Sequence, residues 1–265
     1  MSGTRFHEFS ENLAGVIDGR LGAEALVVAA SDLFPCYAAF AVLNRQEASP
    51  VYLADTYPDA ASKAAVQRYV NTTYEINPVH NAIRNGLAEG VHRMGDLAPD
   101  NWSAVTCDVI ADEEEEINFR TPGWPRGLQE ASLLVHLKDG IVGEVSLARA
   151  AVANGIPDAD LQGLSAFLPL FRSAFAKIVS GSFGSLGDGD HGSPQLENFG
   201  KELLSSREAE VVQMVLKGHS SLSISLTLGI AIPTVKSHRR NAYAKLGVST
   251  QQELFHSYIN WRSMA

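Results

Sequence analysis

Apolar residues recur at helical spacing from the start of the chain. Phe6, Phe9, Leu13, Val16 and Ile17, then Leu21, Ala25 and Val28, predict one or two amphipathic helices over residues 5–31. The period then changes. YAAFAVLN (37–44) and SPVYLADTY (49–57) are β-rich runs on either side of the polar segment Arg45, Gln46 and Glu47, which is a hairpin signal. Residues 60–73 return to helical spacing through Ala64, Ala65, Val66, Tyr69 and Val70, and Asn77-Pro78 opens a second short helix ending near Gly86. LQEASLLVHLKDGIVGEVSLAR (128–149) reads as two strands around Lys138-Asp139-Gly140, because Asp-Gly suits a hairpin turn. Leu161, Leu164, Phe167, Leu168, Phe171 and Phe175 restore a helix over 158–179. The order predicts an α+β domain over residues 1–180, an antiparallel sheet flanked by helices.

The periodicity stops at SGSFGSLGDGDHGSPQLENFG (180–200), a Gly/Ser/Asp-rich stretch that predicts a flexible linker over 181–200. Beyond it, residues 201–265 predict an all-α domain of four helices. Ser205-Ser206-Arg207-Glu208 is a capping box, and Leu204, Val211, Met214 and Val215 follow as an apolar stripe stopped by Lys217-Gly218. A short second helix opens at Ser220 or Ser221 and buries Ile224 and Leu228, and Gly229 makes the turn. The third helix starts about Pro233. At 100° per residue, its Val235, His238, Ala242 and Leu246 cluster inward while Lys236, Ser237, Arg240 and Ala244 face out. Thr250 to Glu253 caps a fourth helix running through Leu254, Phe255 and Tyr258.

Charge sharpens this division. The chain of 265 residues carries −9 overall, yet residues 201–265 hold eight Lys/Arg against four Asp/Glu, a net +4. The first 200 residues hold 13 basic and 26 acidic side chains, a net −13. A basic module joined to an acidic partner domain is the expected layout of a nucleic-acid binder with a separate input half. No apolar run reaches membrane-spanning length and no secretory leader precedes Phe6, so a cytoplasmic protein without membrane partners is expected. Cys36 and Cys107 are too isolated for a disulfide framework or a zinc set, and the ADEEEE run ending at Glu116 reads as a solvated helix end or loop. His80 and His92 lack a spaced partner set and read as hydrogen-bonded histidines, so neither a metal nor another cofactor is expected. No nucleophile elbow or phosphate-binding glycine loop is present, so an enzyme is not expected; an enzyme-derived domain with a regulatory DNA-binding tail is the alternative of a different class.

LSSREAEVVQMVLKGHSS followed by LGIAIPTVKSHRRNAYAKLGVST resembles the LuxR-type (GerE-like) DNA-binding domain over about 60 residues. The matching positions are Arg207-Glu208, Val211, Gly218, Ile224, Leu228-Gly229-Ile230, Thr234-Val235-Lys236, His238 and Lys245-Leu246-Gly247-Val248. The resemblance implies a bacterial transcription regulator that holds double-stranded DNA as a homodimer joined through the last helix, with the third helix in the major groove. It places Lys236, Ser237 and Arg240 at base edges, and Thr234 and Lys245 at backbone phosphates. RNA polymerase is a further candidate partner. The chain departs from the family where Leu222-Ser223 and Leu226-Thr227 replace charged residues, and where Ala231 stands in place of a capping serine.

For the first 180 residues, LuxR-type regulators offer several input domains. VYLADTYPD has a receiver-like Asp, but residues 1–35 form a helix where a receiver needs an acidic pair. An acyl-homoserine-lactone sensor fits in size and element order, with Asn77-Pro78 where such sensors carry Asp-Pro and with Arg68 and Ala64 at the expected Trp and Tyr. The resulting expectation is a GAF-like, PAS-like or autoinducer-domain-like sensor for a small-molecule effector, or a domain that only dimerises. Its candidate ligand contacts are Tyr37, Phe40, Tyr52, Tyr69, Asn77, Trp102 and Trp124, with EINFRTPGWPRGLQE (116–130) as a covering loop.

Overall fold

The computed structural model describes residues 3–45, 48–99, 128–151, 155–182 and 195–264. Trp102, Cys107, the ADEEEE run and Trp124 therefore lie outside the described residues, as do most of the expected covering loop and residues 183–194 of the expected linker.

Helices α1 (Gly3–Ile17) and α2 (Ala23–Leu33) precede strands β1 (Ala38–Asn44) and β2 (Val51–Asp55). Helix α3 (Ala60–Asn71), a 3-10 turn (Thr73–Ile76) and α4 (Pro78–Arg84) follow, then the short strand β3 (Gly90–Arg93) and α5 (Met94–Leu97). Strands β4 (Leu128–His136) and β5 (Val142–Ala150) form the second hairpin, and α6 (Asp158–Ser165) and α7 (Leu168–Ser182) close this half. The five strands form one antiparallel sheet in the order β2-β1-β5-β4-β3. Between β4 and β5 the chain turns through Asp139 at φ 59°, a left-handed geometry that Asp tolerates better than most residues. The α+β architecture read from the pattern is thus observed.

Both faces of the central strands are covered. Ala39, Ala41 and Leu43 of β1, Ala131, Leu133 and Val135 of β4, and Val145 and Leu147 of β5 meet α1, α2, α6 and α7 in the main core. Its largest members include Phe9, Phe34, Phe171 and Phe175, each worth about 2–3 kcal/mol of burial. Gly143 lets α7 lie flat on the sheet, because a Cβ there would stand 2.6 Å from the Phe175 ring. On the other face Phe40 and Val42 pack under Val66, Tyr69, Val70 and Tyr74 of α3 and the 3-10 turn, and Leu134 and Val142 pack under Val79 and Met94.

The C-terminal half contains α8 (Ser206–Leu216), α9 (Ser221–Leu228), α10 (Ile232–Leu246) and α11 (Gln251–Met264) around its own core. Leu196 and Phe199 are buried in that core, so the last residues of the expected linker are folded structure. The other end of that stretch is helical as well, since α7 continues to Ser182. Ile76, from the first half, is 1% exposed and belongs to the same C-terminal core. Among the described residues no helix is long and apolar enough to cross a membrane.

Candidate nucleic-acid interface and its contact with the sheet domain

Each helix of the C-terminal half begins where local chemistry dictates. The Ser205 hydroxyl accepts from the Glu208 N–H, and the Glu208 carboxylate accepts from the Ser205 N–H at 2.8 Å, completing the capping box of α8. Ser220 caps α9 by accepting from the Ser223 N–H at 3.1 Å. Gly229, at φ 63°, then turns the chain into α10, which has Pro233 in its first turn and, at Ala231, no side-chain cap. Thr250 accepts from the Glu253 N–H at 3.0 Å to start α11.

On α10, Val235, Ala242 and Tyr243 are buried against α8 and α9, while Thr234, Arg240, Ala244 and Lys245 are exposed and Lys236 and Ser237 are half-buried. His238, read as inward, is half-buried. Arg239 lies over the Tyr243 ring at 5.3 Å, which disposes of a cation in an otherwise apolar sector. Lys245 donates to the Glu208 carboxylate at 2.6 Å, and this ion pair, the largest cause, holds the Glu208 pKa down at about 2. One carboxylate thus ties the start of α8 to the end of α10. Leu222 and Leu226 of α9 are 55% and 75% exposed, as their replacement of charged residues implied.

The family model for bacterial regulatory proteins of the luxR family matches residues 202–258. Residues 202–258 are a luxR-family DNA-binding domain. The HTH-type transcriptional regulator in the exeN 3′ region of Aeromonas salmonicida is 25% identical over 194 residues, covering 69% of this chain and 93% of that protein. The transcriptional regulatory protein TdiR of Thauera aromatica is 42% identical over 53 residues, 20% of this chain and 23% of that one. The VqsR ligand-binding domain from Pseudomonas aeruginosa is similar at a TM-score of 0.47 and 13% identity, over 68% of this chain and 97% of that chain. The family is thus shown for the C-terminal domain, and over most of its length the chain is similar to a transcriptional regulator.

The LuxR-type domain is gripped by the sheet domain through the 3-10 turn. Glu75, 6% exposed, accepts from the Tyr258 hydroxyl at 2.9 Å and from the Leu196 N–H at 2.9 Å. Arg262, near the end of α11, reaches the Glu75 carboxylate at 3.5 Å, donates to the Tyr74 hydroxyl at 2.9 Å and lies 5.6 Å from the centre of the Tyr74 ring. With Ile76 inserted beside them, these residues form a buried latch between the two halves. Burial and the neighbouring Glu75 charge push the Tyr258 hydroxyl pKa well up, so it stays a donor. Sequence reasoning missed Glu75 and Arg262.

On the sheet face beneath α3, the structure assembles a polar patch that sequence reasoning also missed. Glu130 and Ser132 of β4 and Glu144 and Ser146 of β5 are all buried there, with Ser132 directly opposite Ser146. Glu144 accepts from the Asn44 amide at 2.7 Å and from the Ser132 hydroxyl at 3.1 Å, while Ser146 reaches Glu130. Burial, with Glu144 close by, pushes the Glu130 pKa up to about 7; burial also raises Glu144. His80 Nδ1 is 3.1 Å from Asn44 Oδ1, and burial lowers its pKa to about 3, so the ring is neutral. The His80 ring stands edge-on to Tyr74, 4.9 Å away. A continuous chain of contacts therefore runs from Glu144 through Asn44, His80 and Tyr74 to Arg262.

Of the ligand contacts expected from the sequence, Phe40 and Tyr69 meet on this face with ring centres 5.5 Å apart. Tyr52 is half-buried beside them and donates to Asp55 at 2.7 Å. Asn77 serves another purpose: its side-chain oxygen caps α4 by accepting from the Val79 and His80 N–H groups. Tyr37 is 55% exposed just outside β1 and does not join the group. The signal for the missed carboxylates was available, because E-x-S recurs at Glu130-Ala131-Ser132 and Glu144-Val145-Ser146 within otherwise apolar strands.

Proposed function

We propose that this regulator is a non-enzymatic homodimer whose α10 enters the major groove, with Lys236, Ser237 and Arg240 meeting base edges and Thr234 and Lys245 meeting phosphates. The supporting observation is the outward face of α10 in a luxR-family domain: Arg240 is exposed on it, and Lys236 and Ser237 share that face. A guanidinium can donate twice to guanine O6 and N7, and an ammonium can do so from a more flexible stem. Lys245 contributes less, since Glu208 already neutralises much of its charge. Residues 1–182 form the sensor for a small-molecule effector, the stretch after α7 acts as linker, and the latch through Glu75 carries the sensor's state to α11. RNA polymerase contact belongs to this reading as a partner of the DNA-bound form.

The test is a DNA-binding titration of the full chain. Arg240→Ala costs about 1–3 kcal/mol on a cognate site and relaxes preference at one base position. Unchanged affinity and preference in that variant would remove Arg240 from the base-reading set.

A further inference from the structure

The buried patch beneath α3 carries two carboxylates and, among the described residues, no lysine or arginine in an ion pair with either. Among the described residues Glu144 has Asn44 and Ser132 as donors and Glu130 has Ser146, which leaves carboxylate lone pairs unmet by them. Above them Tyr69, itself 8% exposed, is close enough for its hydroxyl to feel both charges, yet that hydroxyl has no hydrogen-bond partner. A buried phenol that could donate to either of two acceptors and bonds to neither is separated from them by more than hydrogen-bond reach. An unmet phenol of this kind is costly unless something else completes it.

The occupant that completes such a site is defined by what is missing. Two carboxylates and a phenol oxygen are acceptors buried on one sheet face beneath α3, and they ask for a group with several N–H donors and a positive charge. A primary ammonium has three such donors. Its charge also resolves the like-charge conflict between Glu130 and Glu144, which would otherwise keep one of them protonated. Phe40 and Val42 line the same face and suit a short apolar stem.

We propose that the sensor domain binds a small primary amine, its ammonium group held by Glu130, Glu144 and Tyr69. This rests on the reading of residues 1–182 as a ligand sensor and assigns the class of ligand to it. The arrangement disfavours neutral lactones and carboxylates, which would leave the buried carboxylates uncompensated or repelled.

The experiment is thermal melting of the full chain against matched probes: linear alkylamines of two to six carbons, their N-acetyl amides and the corresponding carboxylates. At a hundredfold excess over Kd, a binding amine raises the melting temperature by about 5–10 °C. Amides and carboxylates leave it unchanged. Glu144→Gln lowers amine affinity at least tenfold. Tyr69→Phe, which removes only an unpartnered hydroxyl, melts no lower than wild type without ligand and shows a smaller amine shift. Titration calorimetry of the wild type at pH 7 in buffers of different ionisation heat registers proton release as Glu130 ionises. Shifts of equal size with the neutral amides overturn the amine assignment and leave the sensor reading standing. Flat melting with every probe overturns the amine assignment, and if native mass spectrometry of protein purified from cells also finds no bound small molecule, the sensor reading falls with it.

Discussion

Replacing Arg262 by alanine removes the guanidinium from a site that is only 7% exposed and leaves the Glu75 carboxylate, 6% exposed, without its cation. Breaking a buried ion pair from one side costs about 3–5 kcal/mol, since the remaining charge loses its counter-ion without regaining water. Here the cost falls at the lower end, about 3 kcal/mol, because Tyr258 and Leu196 still donate to the carboxylate. The Tyr74 ring also loses its cation, a contact worth about 1 kcal/mol. Urea unfolding of the full chain measures the loss, with Arg20→Ala as the control, since Arg20 is exposed and its pair with Asp18 is a surface one. The double variant Glu75→Gln with Arg262→Met recovers most of the stability, because neither charge then remains. A further signature is separation into two unfolding transitions in Arg262→Ala, as the halves cease to melt together. An Arg262→Ala cost no larger than that of Arg20→Ala, with one unseparated transition, would refute the latch as a coupling element.

Two other predictions concern the sheet. Glu130 has a folded pKa near 7, above its unfolded value, so its folded form retains a proton that the unfolded chain releases between about pH 4.5 and 7. Its contribution to stability is therefore greatest below pH 4.5 and falls as pH rises through that window. Glu130→Gln does not titrate, so its stability relative to wild type rises by up to about 3 kcal/mol between pH 4.5 and 8 in ligand-free protein. Comparing the two proteins cancels the opposing trend of His80, whose lowered pKa makes stability rise with pH over roughly pH 3 to 6.5. Urea melts of both proteins at pH 5 and pH 8 measure the difference, and a constant gap would mean that Glu130 keeps its charge when folded. Gly143→Ala forces a methyl against the Phe175 ring and costs about 1–3 kcal/mol, read as a lowered melting temperature; a neutral result would show that α7 can lift off the sheet freely.

The parts of this protein that could be read from sequence are those set by neighbours a few residues apart. The capping serines 205 and 220 and the Gly229 turn follow from local spacing and appear as expected; of the inward positions read on α10, Val235 and Ala242 are buried, His238 and Leu246 are half-buried, and Tyr243 takes a buried place the spacing did not indicate. Strand β3 was missed because Gly90–Arg93 is four half-buried edge residues with no alternation. Helices α6 and α7 were read as one run, since at the break Ala166 still bonds back to Gln162 and Phe167 tightens onto Leu164, and the apolar stripe continues through it. The carboxylates of β4 and β5 fit an alternation that ordinarily has polar residues facing water, and among the described residues α3, the 3-10 turn, α4 and α5 lie over that face and make it an interior. The latch is less legible still: Tyr258 and Glu75 are 183 residues apart, and nothing in either neighbourhood announces the other. Composition misled at the linker, where Leu196 and Phe199 sit among polar residues yet anchor the second core.

Ile76, Glu75 and Tyr74 also decide where this chain can be cut and rejoined. The Gly/Ser-rich stretch before Gln195 is the natural splice point for a chimera that gives this sheet domain a foreign DNA-binding domain. Such a splice parts Glu75 from Tyr258 and Arg262 and withdraws Ile76 from the core it fills. The transplanted sheet domain would arrive with a charged, greasy stub exposed, and the LuxR-type domain left behind would keep an arginine that has lost its anion. Functional exchange of output modules in this architecture therefore requires matching the turn at 73–76 to the new last helix, so the unit of modularity is larger than either half.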